Sequence, residues 1–302
     1  MLETLVDAAC ALPPLRTAVV HPCDPASLAG ALQAQSRGLM QAVLVGPRAR
    51  IAEVAQQAGL DLAGTELIDA PHSHAAADRA VELVRDGRVA ALMKGALHTQ
   101  ELMQAVVARE SGLRTGRRMS HVFALEVELY PRTLFITDGA LNIAPGLLHK
   151  RDIVQNAIDL AQATGVATPK VALLSVSEEV DPAVTSSLDA AALCKMADRG
   201  QISGALLEGP LAMDNAISPQ AAAAKGISSP VAGCADILLV PDLASGNMLV
   251  KQLVYLSGAR TAGLIIGARV PIMLSSRADG VAARMAACAL AQRLLQHRAA
   301  KP

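Results

Sequence analysis

Apolar residues in this chain fall into short, β-rich runs separated by longer Ala-rich stretches of helical period. The runs "TAVVHP", "QAVLVG", "TELIDA", "VAALMKG", "SHVFALEVEL", "TLFITDG", "KVALLSVS", "GALLEGP", "ADILLVP", "AGLIIG" and "PIMLSS" read as strands. Helical segments lie between most of them, such as "SHAAADRAVELVRDG" and "SLDAAALCKMADRG", each stopped by glycine just past a basic residue. Such alternation predicts β-α units and a mainly parallel sheet covered on both faces. One stretch departs from it: "SHVFALEVELYPRTLFITDG" sets two strands in succession across Tyr130-Pro131-Arg132, a pattern that marks a change of layer. A domain crossing is therefore expected near residue 140, giving a first α/β domain of 1–139 plus 275–302 and a second of 140–274. The last helix, over 280–297, is expected to carry Arg284, Gln292 and Gln296 on one face and to pack its Ala, Met and Leu on the other.

Composition narrows the function classes. With 302 residues and 52% hydrophobic content, the chain can bury a large core. Lys plus Arg and Asp plus Glu balance at 27 each, so no net field draws the protein to nucleic acid or to an anionic membrane. Phe123, Phe135, Tyr130 and Tyr255 are the whole aromatic complement, too few for base-stacking platforms. Five scattered cysteines without a C-x-x-C pair fit reduced thiols better than disulfides or a zinc site. The N-terminal stretch "MLETLVDAACALPPLR" lacks a basic n-region, and the apolar runs stop well short of a membrane span. A soluble cytoplasmic protein is expected, with neither nucleic acid nor membrane as partner.

In open α/β sheets ligands sit beyond the carboxyl ends of the strands. Four polar stretches fall at such ends. "ALMKGALHT" carries Lys94 and His98; "FITDGALNIAPG" carries Asp138, Gly139 and Asn142. "LLVPDLASGNMLVKQLVY" runs from Asp242, Ser245 and Gly246 into a helix bearing Asn247, Lys251 and Tyr255, and "PIMLSSRADG" brings Ser275, Ser276, Arg277 and Asp279 together. Gly246 lets backbone N–H groups approach a ligand closely, a helix N-terminus adds partial positive charge, and Lys94, Lys251 and Arg277 add full charges. The chemistry points to an anionic ligand. Neither G-x-x-x-x-G-K-[ST] nor G-x-G-x-x-G occurs, so a P-loop and a Rossmann dinucleotide site are unsupported. Plainer readings stand beside these: Asp279 as a helix cap, Asp138-Gly139 as a turn, Asn247 and Lys251 as a solvated helix face, and His72 and His74 as surface histidines.

Together, "MKGALHT", "TDGALNIAP", "TSSLDAAALCKMADRGQISGALLEGPLAMDNAIS", "SPVAGCADILLVPDLASGNMLVKQLVY" and "PIMLSSRADG" resemble the phosphate acetyl/butyryl transferases, with a spacing and an "SSRAD" form closer to the butyryl side. The resemblance implies a two-domain α/β fold of mainly parallel sheets, like isocitrate and isopropylmalate dehydrogenases, with a cleft between domains and a homodimeric assembly. It implies the reaction acyl-CoA plus phosphate giving acyl phosphate plus CoA, on a short acyl chain in a ternary complex. No cofactor is implied, coenzyme A being a substrate. By position the family's serine-arginine pair falls on Ser276-Arg277, whereas the acetyl branch's catalytic aspartate falls on Ala283. That leaves Asp279 or Asp138 as base. The acetyl branch's arginine after the "KGALHT"-like turn has no counterpart in "QELMQAV", and Arg114, Arg117 or Lys94 are candidates to replace it. In this reading Arg277 holds the phosphoryl group and Ser276 bonds the reacting centre, while Lys94, Asn142, Gly246, Asn247 and Lys251 line the acyl phosphate and CoA channel. Two alternatives remain. A metal- and NAD-dependent decarboxylating dehydrogenase would need an aspartate cluster, for which only Asp236 and Asp242 are available; the other is a non-catalytic small-molecule binding protein.

Overall fold

The structure, a computed structural model of the chain, describes residues 2–274 and 280–300. It forms two compact units, the described parts of 2–117 and 262–300 making one and 118–261 the other.

The first unit opens with α1 (Leu2–Cys10), β1 (Leu15–Val20), α2 (Pro25–Ser36), β2 (Met40–Gly46), α3 (Arg48–Gln57), β3 (Glu66–Asp69), α4 (Ser73–Arg85), β4 (Ala91–Lys94) and α5 (Thr99–Val107). Local signals start these helices. Asp24 caps α2 by accepting the Ser27 N–H at 2.9 Å, with Pro25 in the first turn, where its missing N–H costs nothing. His72, from the histidine pair read as surface residues, caps α4 through Nδ1, which accepts the Ala75 N–H at 3.2 Å.

The second unit contains β5 (Ser120–Glu126), β6 (Leu134–Thr137), α6 (Leu147–Ala163), β7 (Lys170–Leu174), α7 (Thr185–Asp198), β8 (Leu206–Leu211), α8 (Met213–Ile217), α9 (Pro219–Ala224), β9 (Ile237–Leu239) and α10 (Leu243–Leu256). Its strand order is β5-β6-β9-β7-β8, parallel except for β5 against β6. Because β6 bonds β5 on one side and β9 on the other, the successive pair belongs whole to this unit. The units accordingly divide at 117/118 and 261/262, whereas the sequence pattern placed the crossings at 139/140 and 274/275.

The chain then returns through β10 (Arg260–Ile266), β11 (Ile272–Met273) and α11 (Val281–Ala300). The first unit's strand order is β3-β2-β1-β4-β11-β10. Its pairings are parallel except β10 with β11, which five residues connect, too few for the crossover that parallel neighbours need. β4 is buried at every position, as a strand covered on both faces must be. α11 departs from the expected two-faced helix. Arg284 is 3% exposed and Gln292 4%, and the consecutive residues 286–292 are all buried, with α1 and α2 packed against the helix, whereas Gln296 is exposed as expected of a polar face. Gly30 makes this possible: a Cβ there would lie 2.3 Å from Arg284 Cδ, so only glycine admits the arginine stem. Gln292 donates its amide to Pro13 O at 3.0 Å.

Among the described residues no helix is long and apolar enough to cross a membrane.

Candidate active site

The loop after β6 is built on one carboxylate. Asp138 is 3% exposed, and its Oδ1 accepts the Ala140 and Leu141 N–H groups, both at 3.0 Å. Its Oδ2 accepts Asn142 N–H at 3.2 Å and Asn142 Nδ2–H at 2.6 Å. A carboxylate has about four lone-pair sites, and four donors fill them here. Burial pushes the Asp138 pKa up from 3.8, against the opposing pull of these hydrogen bonds. A base needs a lone pair turned toward the proton it takes, so this geometry makes Asp138 the anchor of its loop.

Asn142 is equally committed. Its second amide hydrogen goes to Met119 O at 2.9 Å, and its Oδ1 accepts from Arg118 Nε at 2.7 Å. The polar amide expected to line a channel spends its bonds on protein partners. Arg118 itself escaped the pattern reading, being one of several basic residues in "RTGRRMS". It is an exposed residue whose backbone N–H donates to Asp152 Oδ2 at 2.9 Å and whose carbonyl accepts from Asn156 Nδ2, also at 2.9 Å.

This loop packs on the start of α10. Asp242 caps that helix by accepting the Ser245 N–H at 2.8 Å, while Ser245 Oγ accepts the Asp242 N–H at 3.3 Å, a capping box with serine in the glutamate position. The Ser245 N–H is the main cause holding the Asp242 pKa below 3.8. One residue on, Gly246 meets Gly139 backbone to backbone. A Cβ on Gly139 would lie 2.8 Å from Gly246 C, and a Cβ on Gly246 would lie 2.8 Å from Gly139 Cα and 2.7 Å from Val240 Cγ2. The close approach expected at Gly246 is thus to a second strand-end loop. Asn247 locks the junction by donating Nδ2–H to Gly139 O at 3.2 Å. Lys251, one turn further, is exposed. Asp138, Asn142, Gly246 and Asn247 form one connected cluster, with Arg118 attached and Lys251 on the same helix.

Lys94, at the end of β4 in the first unit, is 5% exposed and donates to Gly95 O at 3.2 Å and Leu97 O at 3.0 Å. Its ammonium ties down its own turn. His98 is the residue before α5 and makes no side-chain cap bond there. Ser275, Ser276, Arg277 and Asp279 lie outside the described residues. Among the described residues, no group of three or more His, Cys, Asp or Glu side chains is placed to hold a metal ion.

Comparison with known proteins adds the family. The model described as "Phosphate acetyl/butaryl transferase" matches residues 73–292. The chain is 57% identical over 289 residues to a phosphate acetyltransferase of Rhizobium meliloti, covering 96% of this chain and 92% of that one. It is 41% identical over 276 residues to a phosphate butyryltransferase of Clostridium acetobutylicum, covering 91% and 92%. Among solved structures, a branched-chain phosphotransacylase from Enterococcus faecalis V583 superposes with a TM-score of 0.81 at 30% identity, covering 94% of this chain and 100% of that one. The "SSRAD" form therefore occurs in a chain that shares more residues with the first of these proteins than with the butyryltransferase.

Proposed function

Because the chain belongs to the phosphate acetyl/butyryl transferase family, we propose that it catalyses acyl-CoA plus phosphate to acyl phosphate plus CoA, on a short acyl chain. The observation that carries this reading is the 57% identity over 96% of the chain to a protein of that named activity. A phosphate oxygen attacks the thioester carbonyl, the C–S bond breaks, and the departing CoA sulfur receives a proton. In the reverse direction a base takes that proton and the thiolate attacks the acyl phosphate. Both substrates bind together, so no covalent enzyme intermediate is needed.

Arg277 holds the phosphoryl oxygens with its guanidinium fork, and Ser276 hydrogen-bonds the reacting centre. With the lone pairs of Asp138 occupied, Asp279 is the base toward the CoA thiol. Gly246 and Asn247 set the start of α10, whose N-terminal N–H groups favour anions, and Lys251 adds a charge for the phosphates of CoA. The fold kinship to isocitrate and isopropylmalate dehydrogenases, a cytoplasmic homodimer and the lack of any cofactor beyond CoA as substrate belong to the same reading.

The test is release of free CoA thiol from acetyl- and butyryl-CoA. Release that requires phosphate, and needs neither NAD nor a divalent ion, is expected. Phosphate-independent release, or none with either substrate, overturns the proposal. Light scattering at micromolar concentration tests the dimer, and a monomer there would reject it.

A further inference from the structure

Arg118 is held more firmly than an exposed arginine needs to be. Its N–H is bound by Asp152, its carbonyl by the fully buried Asn156, and its Nε by Asn142, whose amide is in turn fixed by Met119 O and Asp138. The carboxylate of Asp152 gives its other oxygen to Arg151, with Nε at 3.0 Å and Nη2 at 2.8 Å. Among the described residues, Arg118 makes no ion pair, and its two terminal nitrogens have no hydrogen-bond partner. The result is a guanidinium whose stem is immobilised while both ends of its fork are open to solvent. Fixing the stem removes the rotamer entropy that an arginine otherwise loses on gripping a ligand, and the fork geometry matches oxygens of phosphate.

We propose that Arg118 is a phosphate-binding residue of this protein, its terminal N–H groups donating to oxyanions of a substrate and Asn142 acting as its positioning residue. The inference rests on the functional reading above and adds a residue to it. The phosphate has two sources in that reaction, the reacting phosphate and the phosphates of CoA, and kinetics separates them.

Acyl transfer by the unaltered protein is measured first; its absence defeats the functional reading, not this assignment. With activity present, Arg118→Ala is expected to raise KM by about ten- to hundredfold, the weight of lost charge-assisted hydrogen bonds. A rise for inorganic phosphate alone identifies the reacting group. A rise for CoA that shrinks with dephospho-CoA identifies the ribose phosphate, and a rise equal for both forms the diphosphate. Arg118→Lys should recover part of the loss, because charge returns without the anchored fork. Calorimetric titration with phosphate and with CoA provides a readout independent of turnover. If Arg118→Ala melts well below the unaltered protein, Arg118→Gln, which keeps an amide to face Asn142, carries the same measurements. KM values and binding within twofold of the unaltered protein for both substrates, in a folded variant, overturn the assignment.

Discussion

Gly139 and Gly246 leave no room for a side chain on each other: a Cβ on Gly139 would lie 2.8 Å from the carbonyl carbon of Gly246, and one on Gly246 would lie 2.8 Å from the α-carbon of Gly139. The loop after β6 and the first turn of α10 are held in register by that contact. Alanine at either position pushes against backbone, which cannot rotate out of the way as a side chain can. Gly246→Ala should lower stability by about 1–3 kcal/mol, the usual range for overpacking. It should also reduce turnover beyond what the lost stability explains, because Asn247 and the loop carrying Asn142 move together. Chemical denaturation with kcat measured under folded conditions checks both; unchanged stability would mean that the loop yields freely.

Asp138 gives a pH signature. Burial raises its folded-state pKa above 3.8, so the native state holds the proton more tightly than the unfolded chain does. The associated stability is complete below the ordinary aspartate value and is lost as pH rises through the raised folded value. Asp138→Asn carries no such titration. The melting temperature of the natural protein relative to Asp138→Asn should therefore fall as pH increases from about 4 upward. A gap that widens over that interval would show that the four N–H donors outweigh burial.

Asp242 shows the opposite sign. Its pKa is depressed below 3.8, chiefly by the Ser245 N–H, so its stabilisation is present above the ordinary value and lost as pH falls through the depressed one. Asp242→Ala should cost about 0.5–2 kcal/mol near neutrality, as lost N-caps do, and less in acid. Asp242→Asn should recover most of it. Thermal melts across the acid range compare the three proteins.

Kinetics tests the "SSRAD" stretch. Arg277→Ala should cost about 3 kcal/mol or more in kcat/KM for acetyl- and butyryl-CoA alike, because the shared phosphate loses its donor. Arg277→Lys keeps the charge without the fork and should fall between. Asp279→Asn should lower kcat by roughly two to four orders of magnitude if Asp279 is the base. The same change would leave activity intact if Asp279 were only a cap, since asparagine caps as well.

All eleven apolar runs of the sequence pattern correspond to strands. Most are buried along their length, where a near-continuous Val, Ile and Leu run is what burial on both faces asks for, while β3 and β8, last in their strand orders, are only partly buried. Less legible were features decided by a distant partner. The burial of Arg284 depends on a glycine some 250 residues earlier, and no local pattern in α11 announces Gly30. The antiparallel turn from β10 to β11 rests on connection length, which an apolar run does not report. At the site, polar residue types pointed to the right loops but not to their bonding. Asp138 and Asn142 read as free functional groups, whereas each has its bonding capacity filled from within the same unit. Arg118 was obscured for the converse reason: nothing separates it from Arg117 until Asn142 is seen to hold its Nε.

The position of β11 between β4 and β10 sets an order of events on the ribosome. β4 emerges early, but its neighbour on one side is made roughly 180 residues later, after the whole of 118–261, a delay on the order of 10–35 seconds at a synthesis rate of about 5–20 residues per second. For that interval the nascent chain carries a bare apolar strand edge, the feature that invites pairing with a neighbouring copy. A chain cut before Ile272 preserves that edge permanently and should form light-scattering aggregates where the complete protein stays clear. The inserted unit waits for less time, since β6 gains its second neighbour, β9, about 100 residues later, so the outer segments keep an open strand edge for the longer of the two intervals.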